Sequence, residues 1–246
     1  MVTTQATDEQ QAAELGLTPK QFAVLKHIRR FRMTTTEATH RFVYPDKTVT
    51  AAESAIKRLM HAGFIASATL FARNRGKKKP YYYLLASRAE AVFGDSPKTA
   101  GPLGVAALVE RYGVLMFCYR DPRRVKLTPT FFARRYPQLV AKTIPIRNYY
   151  GDIDDQGVNR IGYVHVNRAA SVERTLHAFN RTVIGKRRDH PAWRTEIFSR
   201  NLFALGIVTG TEEKAKAFRE GLTESWPNIL VRIEVVPEIF RMINRR

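Results

Sequence analysis

Between positions 48 and 85 the chain changes its hydrophobic period, and the change separates a helix from two strands. Ala52, Ile56, Leu59 and Met60 recur at the spacing of one helical face, leaving Thr48, Thr50, Ser54, Lys57, Arg58 and His61 on the others. Gly63 then predicts a C-cap, where a left-handed backbone favours glycine. The runs 64–71 and 81–85 carry the aromatic and β-branched content of strands. Upstream, Thr18 predicts an N-cap with Pro19 at the first helical position, and Phe22, Leu25 and Ile28 form the inward stripe. Thr34 with Glu37 fits a capping box that opens a second, shorter helix ending near Tyr44 and Pro45. Residues 1–17 are polar and without motif, and read as a flexible N-terminus, its first fifteen or so residues frayed or partly helical. Residues 88–93 predict a short closing helix, and the breaker-rich stretch 94–102 a linker.

The seven residues Arg73 to Lys79 hold five cations around Gly76, which can turn the chain between the two strands. A basic hairpin loop after an amphipathic helix with small polar groups on its outer side gives residues 18–93 the order of a winged helix-turn-helix. In that reading the third helix enters the major groove with Thr48, Thr50, Ser54, Lys57 and Arg58 towards base edges. Arg73, Arg75, Lys77, Lys78 and Lys79 face phosphates, whose neutralisation releases counterions. The competing reading is a solvated hairpin tip kept basic for solubility. Arg29, Arg30 and Arg32 suit the negative end of the first helix as well as they suit DNA. Alternation in the second strand turns Tyr82 away from Tyr81 and Tyr83, and favours packing under the hairpin over base stacking.

From 103 onward helical and apolar strand-like segments alternate, which predicts an α/β domain over 103–246. The expected elements are a helix at 103–111, a buried strand at 114–119, a helix from Thr128 to about 136, and strands at 149–153 and 161–167 joined by an Asp154–Gly157 turn. A helix at 170–183, a basic loop, a helix around Trp193, a strand at 203–209, a helix at 211–221 and a strand at 229–236 complete the series. With the helix at 128 taken as an insertion, the succession is α-β-β-β-α-β, the core order of restriction-endonuclease-like folds.

Charge sharpens the reading of partners. The chain has 246 residues, 44% of them hydrophobic, with 41 Lys and Arg against 22 Asp and Glu and a formal net charge of +19. That is apolar enough for packed cores and basic enough to favour a polyanion. The absence of an apolar run near twenty residues and of a signal-peptide pattern predicts a cytoplasmic protein with no membrane partner. A single cysteine, Cys118, excludes an intrachain disulfide and reads as a small core residue. The histidines at 27, 40, 61, 165, 177 and 190 include no close pair at ligand spacing, so neither a metal nor another cofactor is expected. Basic clusters also stand at Arg123, Arg124 and Lys126, at Arg134 and Arg135, at Lys186 to Arg188 and at Arg245 and Arg246. Sequence alone leaves open whether they add phosphate contacts or are solvated charge.

Tyr149-Tyr150-Gly151-Asp152, then Arg160-Ile161-Gly162, then Phe203-Ala204-Leu205-Gly206-Ile207-Val208-Thr209-Gly210-Thr211-Glu212-Glu213-Lys214-Ala215 resemble the replication-relaxation, or MobC-like, group of mobile-element proteins. The resemblance covers about residues 18–222. It implies a winged helix fused to a domain of the PD-(D/E)XK nuclease type. Such a nuclease needs an acid on one strand and an acid-x-lysine pair on the next to hold Mg²⁺ and position water. Asp152 or Asp154 can supply the first carboxylate, but the next strand reads Tyr163-Val164-His165-Val166-Asn167, and His165 and Asn167 bring no charge to a hard cation. The expectation is therefore that hydrolysis has been lost, with Asp152, Asp154 and Asp155 in an ordinary polar turn. A rearranged nuclease or nickase recruiting Glu196 and Lys186 is the alternative. The expected function is a sequence-specific double-stranded DNA-binding protein of a mobile element, acting as a transcriptional regulator or an origin accessory factor. A homodimer is the expected assembly, and a relaxase or replication protein a further partner; a protein adaptor with secondary DNA binding is the remaining alternative.

Overall fold

The computed structural model describes residues 2–71, 81–93, 102–169, 171–222 and 229–244. It combines helices with sheets in two compact units, Met1–Arg111 and Tyr112–Arg246. The division falls inside the helix Val105–Arg120, whereas the stretch expected as a linker, 94–102, lies almost wholly outside the described residues.

The first unit contains α1 (Val2–Glu14), α2 (Pro19–Phe31), α3 (Thr36–Val43), α4 (Val49–His61), the antiparallel strands β1 (Ile65–Thr69) and β2 (Tyr81–Leu85), and α5 (Ser87–Val92). The N-terminal segment, read as flexible, frayed or partly helical, includes α1, which buries Ala12 and pairs Asp8 with Lys26 of α2. Thr18 caps α2, accepting from the Gln21 amide while the Gln21 side chain accepts from the Thr18 amide. The start of α3 differs from expectation by one residue, because Thr35 is the N-cap. Thr34 is occupied elsewhere: its backbone bridges Tyr83 of β2, and its buried hydroxyl meets His27 at 2.9 Å and Thr39 at 3.1 Å. α4 ends at Gly63 with φ +73°, where the Gly63 and Phe64 amides donate back to Met60 and Leu59. Its buried stripe is Ala52, Ala55, Ile56 and Leu59. Met60, expected inside, sits exposed at the margin of that stripe. Leu25, Ile28, Phe64, Ile65 and Leu85 complete the core, and Tyr82 is buried beneath the hairpin with its hydroxyl accepting from the Leu103 amide.

The second unit is built on a five-stranded sheet of order β3-β4-β5-β6-β7: Arg124–Lys126, Tyr149–Ile153, Asn159–Val166, Phe203–Thr209 and Leu230–Val235. The first two pairings are antiparallel and the last two parallel. The apolar run 114–119, expected as a buried strand, is instead the second half of the helix α6 (Val105–Arg120), and the strand follows it at 124–126. Val114, Leu115, Phe117 and Cys118 are all buried, so this half of the helix shows no one-sided polarity, and a short apolar run of that kind does not distinguish helix from strand. With that shift the succession is still α-β-β-β-α-β once the inserted helix α7 (Pro129–Arg135) is set aside.

Each strand sends alternate side chains to opposite faces. One face receives α6 and the C-terminal helix α11 (Pro237–Ile243), which the sequence reading did not include. There the Phe117 ring lies where a side chain on Gly206 would stand, and Tyr150 lies across Gly162 in the same way. The other face is aromatic. Tyr149 stacks on Phe132 of α7 at 4.3 Å and lies 5.7 Å from Trp193, with Phe179, Val183, Ile184 and Ile197 packed around them. Those residues belong to a helical layer made of α7, the 3₁₀ turn Pro137–Leu139, α8 (Val172–Ala178), the π-helical turn Phe179–Gly185, the short α9 (Lys186–Arg188) and a second π-helical stretch, Trp193–Phe198. Full burial of each large apolar side chain here stabilises by roughly 1.5–3 kcal/mol. A further helix, α10 (Glu212–Leu222), packs through Ala215, Phe218 and Leu222.

Candidate nucleic-acid interface

The buried stripe of α4 fixes what its other side presents. With Ala52, Ala55, Ile56 and Leu59 inward, Thr50, Glu53, Ser54, Lys57, Arg58 and His61 are exposed. Four of the five third-helix candidates, Thr50, Ser54, Lys57 and Arg58, therefore stand on the solvent side of one rigid helix. Thr48 instead serves as the N-cap, and its hydroxyl accepts from the Ala51 amide at 3.4 Å. Glu53, overlooked in the sequence, pairs with Lys57 at 3.1 Å across one turn. Both partners are exposed, so a phosphate or base edge can compete for the lysine at little energetic cost.

Ser54 and Arg58, one turn apart, also border a groove of about 510 Å³ closed on its far side by Thr18, Lys20 and Tyr44. The Lys20 ammonium lies 5.4 Å from the centre of the Tyr44 ring. Burial pushes the Tyr44 phenol up, against the opposing pull of Arg58. The hydroxyl thus stays protonated at neutral pH, a hydrogen-bond donor beside two cations. Arg73, Arg75, Lys77, Lys78 and Lys79 lie outside the described residues; β1 and β2 are paired up to Thr69 and Tyr81.

The acidic candidates of the second unit do not converge. Asp152 is not in a turn but fully buried within β4, directly opposite Arg124 of β3. The Arg232 Nε approaches its Oδ2 at 3.4 Å, and Glu234 on the same strand as Arg232 accepts from Arg124 at 2.6 Å and from Arg120 at 2.9 Å. Asp152 is thus ion-paired with Arg232, and the other acid of this face, Glu234, is taken up by Arg120 and Arg124. Asp154 does occupy the turn, accepting from the Gln156 and Val158 amides, and its ion-paired neighbour Arg160 holds the carboxyl below its usual range. Asp155 is ion-paired with Arg123.

His165 and Asn167 follow the alternation of Tyr149 and Tyr163, so they fall on the aromatic face, opposite to Asp152. His165 meets the Phe179 ring edge-on at 4.5 Å, and Asn167 accepts from the Ala169 amide at 3.1 Å. Glu196 accepts from Gln138 at 2.7 Å in the helical layer, on the same side as Lys186. The four residues expected to mark a degenerate nuclease site are thereby split between two faces and a turn. Among the described residues no group of three or more His, Cys, Asp or Glu side chains is placed to hold a metal ion. The donor set does not fit Mg²⁺.

A residue that sequence reasoning missed is Arg187. It is 1% exposed, donates to the Tyr149 hydroxyl from Nε and Nη2 at 2.9 and 2.6 Å, and lies 4.9 to 5.4 Å from the ring centres of Tyr149, Tyr163 and Trp193. Desolvation pushes Tyr149 up to about 12, so the phenol stays neutral beside the guanidinium. The spacing of Phe179, Val183 and Arg187 is the signal: the arginine continues an apolar stripe.

No helix in the described residues is long and apolar enough to cross a membrane. No protein-family model matches the chain, and no curated protein and no solved structure matches it at a significant level.

Proposed function

We propose that this chain is a sequence-specific double-stranded DNA-binding protein whose first unit is a winged helix-turn-helix with α4 as its reading helix. The observation that carries the reading is the solvent side of α4, where Thr50, Ser54, Lys57 and Arg58 stand exposed on a helix pinned by a capped start, a glycine stop and a continuous buried stripe. Small hydroxyls and long cations on one rigid face are what base-edge and phosphate contacts require. The antiparallel hairpin after α4, with Thr34 bridged to β2, supplies the frame of a wing. Two such units on a twofold site, as a homodimer, is the assembly that suits this geometry. Action on a mobile element, as regulator or origin factor, rests on the motif resemblance alone.

For the second unit, the order of elements and strands supports a restriction-endonuclease-like core, and the dispersal of its carboxylates supports a non-catalytic one. The test of the reading helix is the double variant Lys57→Ala/Arg58→Ala. Its expected effect is a loss of about 1–3 kcal/mol of discrimination between the preferred and a random duplex, measured by competition binding at fixed salt. An unchanged ratio would remove α4 from the interface.

A further inference from the structure

The helical layer over the aromatic face has a charge distribution that packing does not explain. Residues 128–147 hold four cations and no acid, and residues 168–200 hold eight cations and three acids. Of these twelve cations, only Arg187 turns inward. The layer buries Phe132, Leu139, Phe179, Val183, Ile184, Trp193 and Ile197 towards the sheet, so its exposed side chains stand on the outer surface. Arg134, Arg181, Lys186, Arg188, Arg194 and Arg200 are exposed there, and none forms an ion pair with another described residue. Glu196, the acid nearest in sequence to Arg194, is held by Gln138. The contrast lies on the opposite face, where Arg120, Arg124 and Arg232 are all matched by Glu234 or Asp152.

The outer surface is also held in place. Arg187 is locked to Tyr149 and packed among three rings, so its neighbours Lys186 and Arg188 project from an anchored turn, and Arg188 further lies 5.6 Å from the Phe198 ring centre. Within the layer the exposed large apolar residues are Phe131 and Val140, short of the apolar face that insertion into a lipid surface needs.

We infer that this layer is a second phosphate-binding surface, which grips the backbone of duplex nucleic acid without reading its sequence, with Lys186 and Arg188 at its centre. Unpaired cations on a fixed surface bind a polyphosphate chain by counterion release, and the hydroxyls among them, Thr182, Thr195 and Ser199, donate to the backbone carbonyls of Ala178, Pro191 and Thr195, which leaves little for base discrimination. The inference extends the DNA-binding reading of the first unit but rests on residues of the second alone.

The experiment is a salt titration of the full chain with a fluorescent random duplex, with the preferred duplex selected by the wild type, and with phosphatidylserine-rich vesicles, for the wild type, Lys186→Ala/Arg188→Ala, Arg181→Ala/Arg194→Ala and Lys57→Ala/Arg58→Ala. Each lost phosphate contact lowers the slope of log affinity against log salt by about 0.9, so either layer variant is expected to reduce it by about 2 and weaken low-salt binding about tenfold, leaving sequence preference intact. Slopes equal to wild type in both layer variants would overturn the inference. If the layer variants lose slope while Lys57→Ala/Arg58→Ala keeps full sequence preference, the second surface stands and the reading helix falls. Loss of binding by the layer variants to vesicles rich in phosphatidylserine, with duplex binding unchanged, would make the surface a membrane contact and the inference wrong.

Discussion

The two units handle buried charge in opposite ways. The first keeps charge out of its described core: its buried histidine, His27, is held neutral, with burial and then Arg30 lowering its pKa to about 3, and it is hydrogen-bonded to Thr34. The second builds charge in, with Arg187 among aromatic rings on one face of the sheet and Arg124, Asp152, Arg232 and Glu234 matched on the other. The two arrangements leave charge for a ligand in different places. Among the described residues of the first unit, the exposed side of α4 and its groove carry Lys20, Lys57 and Arg58; in the second, unpaired cations gather on one outer layer, because the opposite face neutralises its own.

That comparison breaks most readily at Arg187. Arg187→Ala removes the cation, leaves the Tyr149 hydroxyl without its donors and opens a cavity, and should destabilise the second unit by about 4 kcal/mol in denaturant unfolding while the first unit is unaffected. Arg187→Lys should fail to restore it, since an ammonium lacks the planar fork that bonds Tyr149 twice and stacks between rings. A loss below about 1 kcal/mol would mean the buried guanidinium is incidental.

Acid separates the units next. For His27 the folded value lies below the unfolded one, so the unfolded chain binds the extra proton between pH 6.5 and about 3. The stabilisation is fully present above pH 6.5 and is lost as pH falls through that window, by roughly 2–3 kcal/mol between pH 6.5 and 4.5. In the second unit, the hydrogen bond and charge of Arg123 hold Asp121 down to about 2, and Arg160 lowers Asp154, so their contributions fade only below about pH 4. Calorimetry at pH 7 and 5 should show the first unit melting earlier at the lower pH and the second little changed. His27→Gln should abolish the difference.

The smallest expected effect tests how firmly α2 is held beside the groove. Thr18→Ala removes the reciprocal cap with Gln21 and should cost about 1 kcal/mol in the first unit, read as a shift of its denaturation midpoint.

Legibility in the sequence followed the range of the interactions. Thr18, Gly63, the strand at Phe203–Thr209 and the exposed face of α4 rest on caps and periods within a few residues, and they stand in the structure much as the chain reads. The run 114–119 reads as a strand because burial on more than one side erases the period that separates helix from strand. Asp152 resembles part of a polar turn because Asp154 and Asp155 follow it, and only strand register shows that it faces Arg124 while His165 and Asn167 face the other way. Arg187 is hidden in a Lys-Arg-Arg run whose flanking residues are exposed; its burial depends on Tyr149, 38 positions away.

Selection of binding sites for the intact chain from a randomised duplex pool, with Mg²⁺ present, tests the proposal that α4 reads DNA sequence. Enrichment of one motif is expected, arranged as two half-sites, that Lys57→Ala/Arg58→Ala no longer enriches, with the DNA recovered uncut. A pool that stays random through successive rounds, or a motif that survives loss of Lys57 and Arg58, would contradict it.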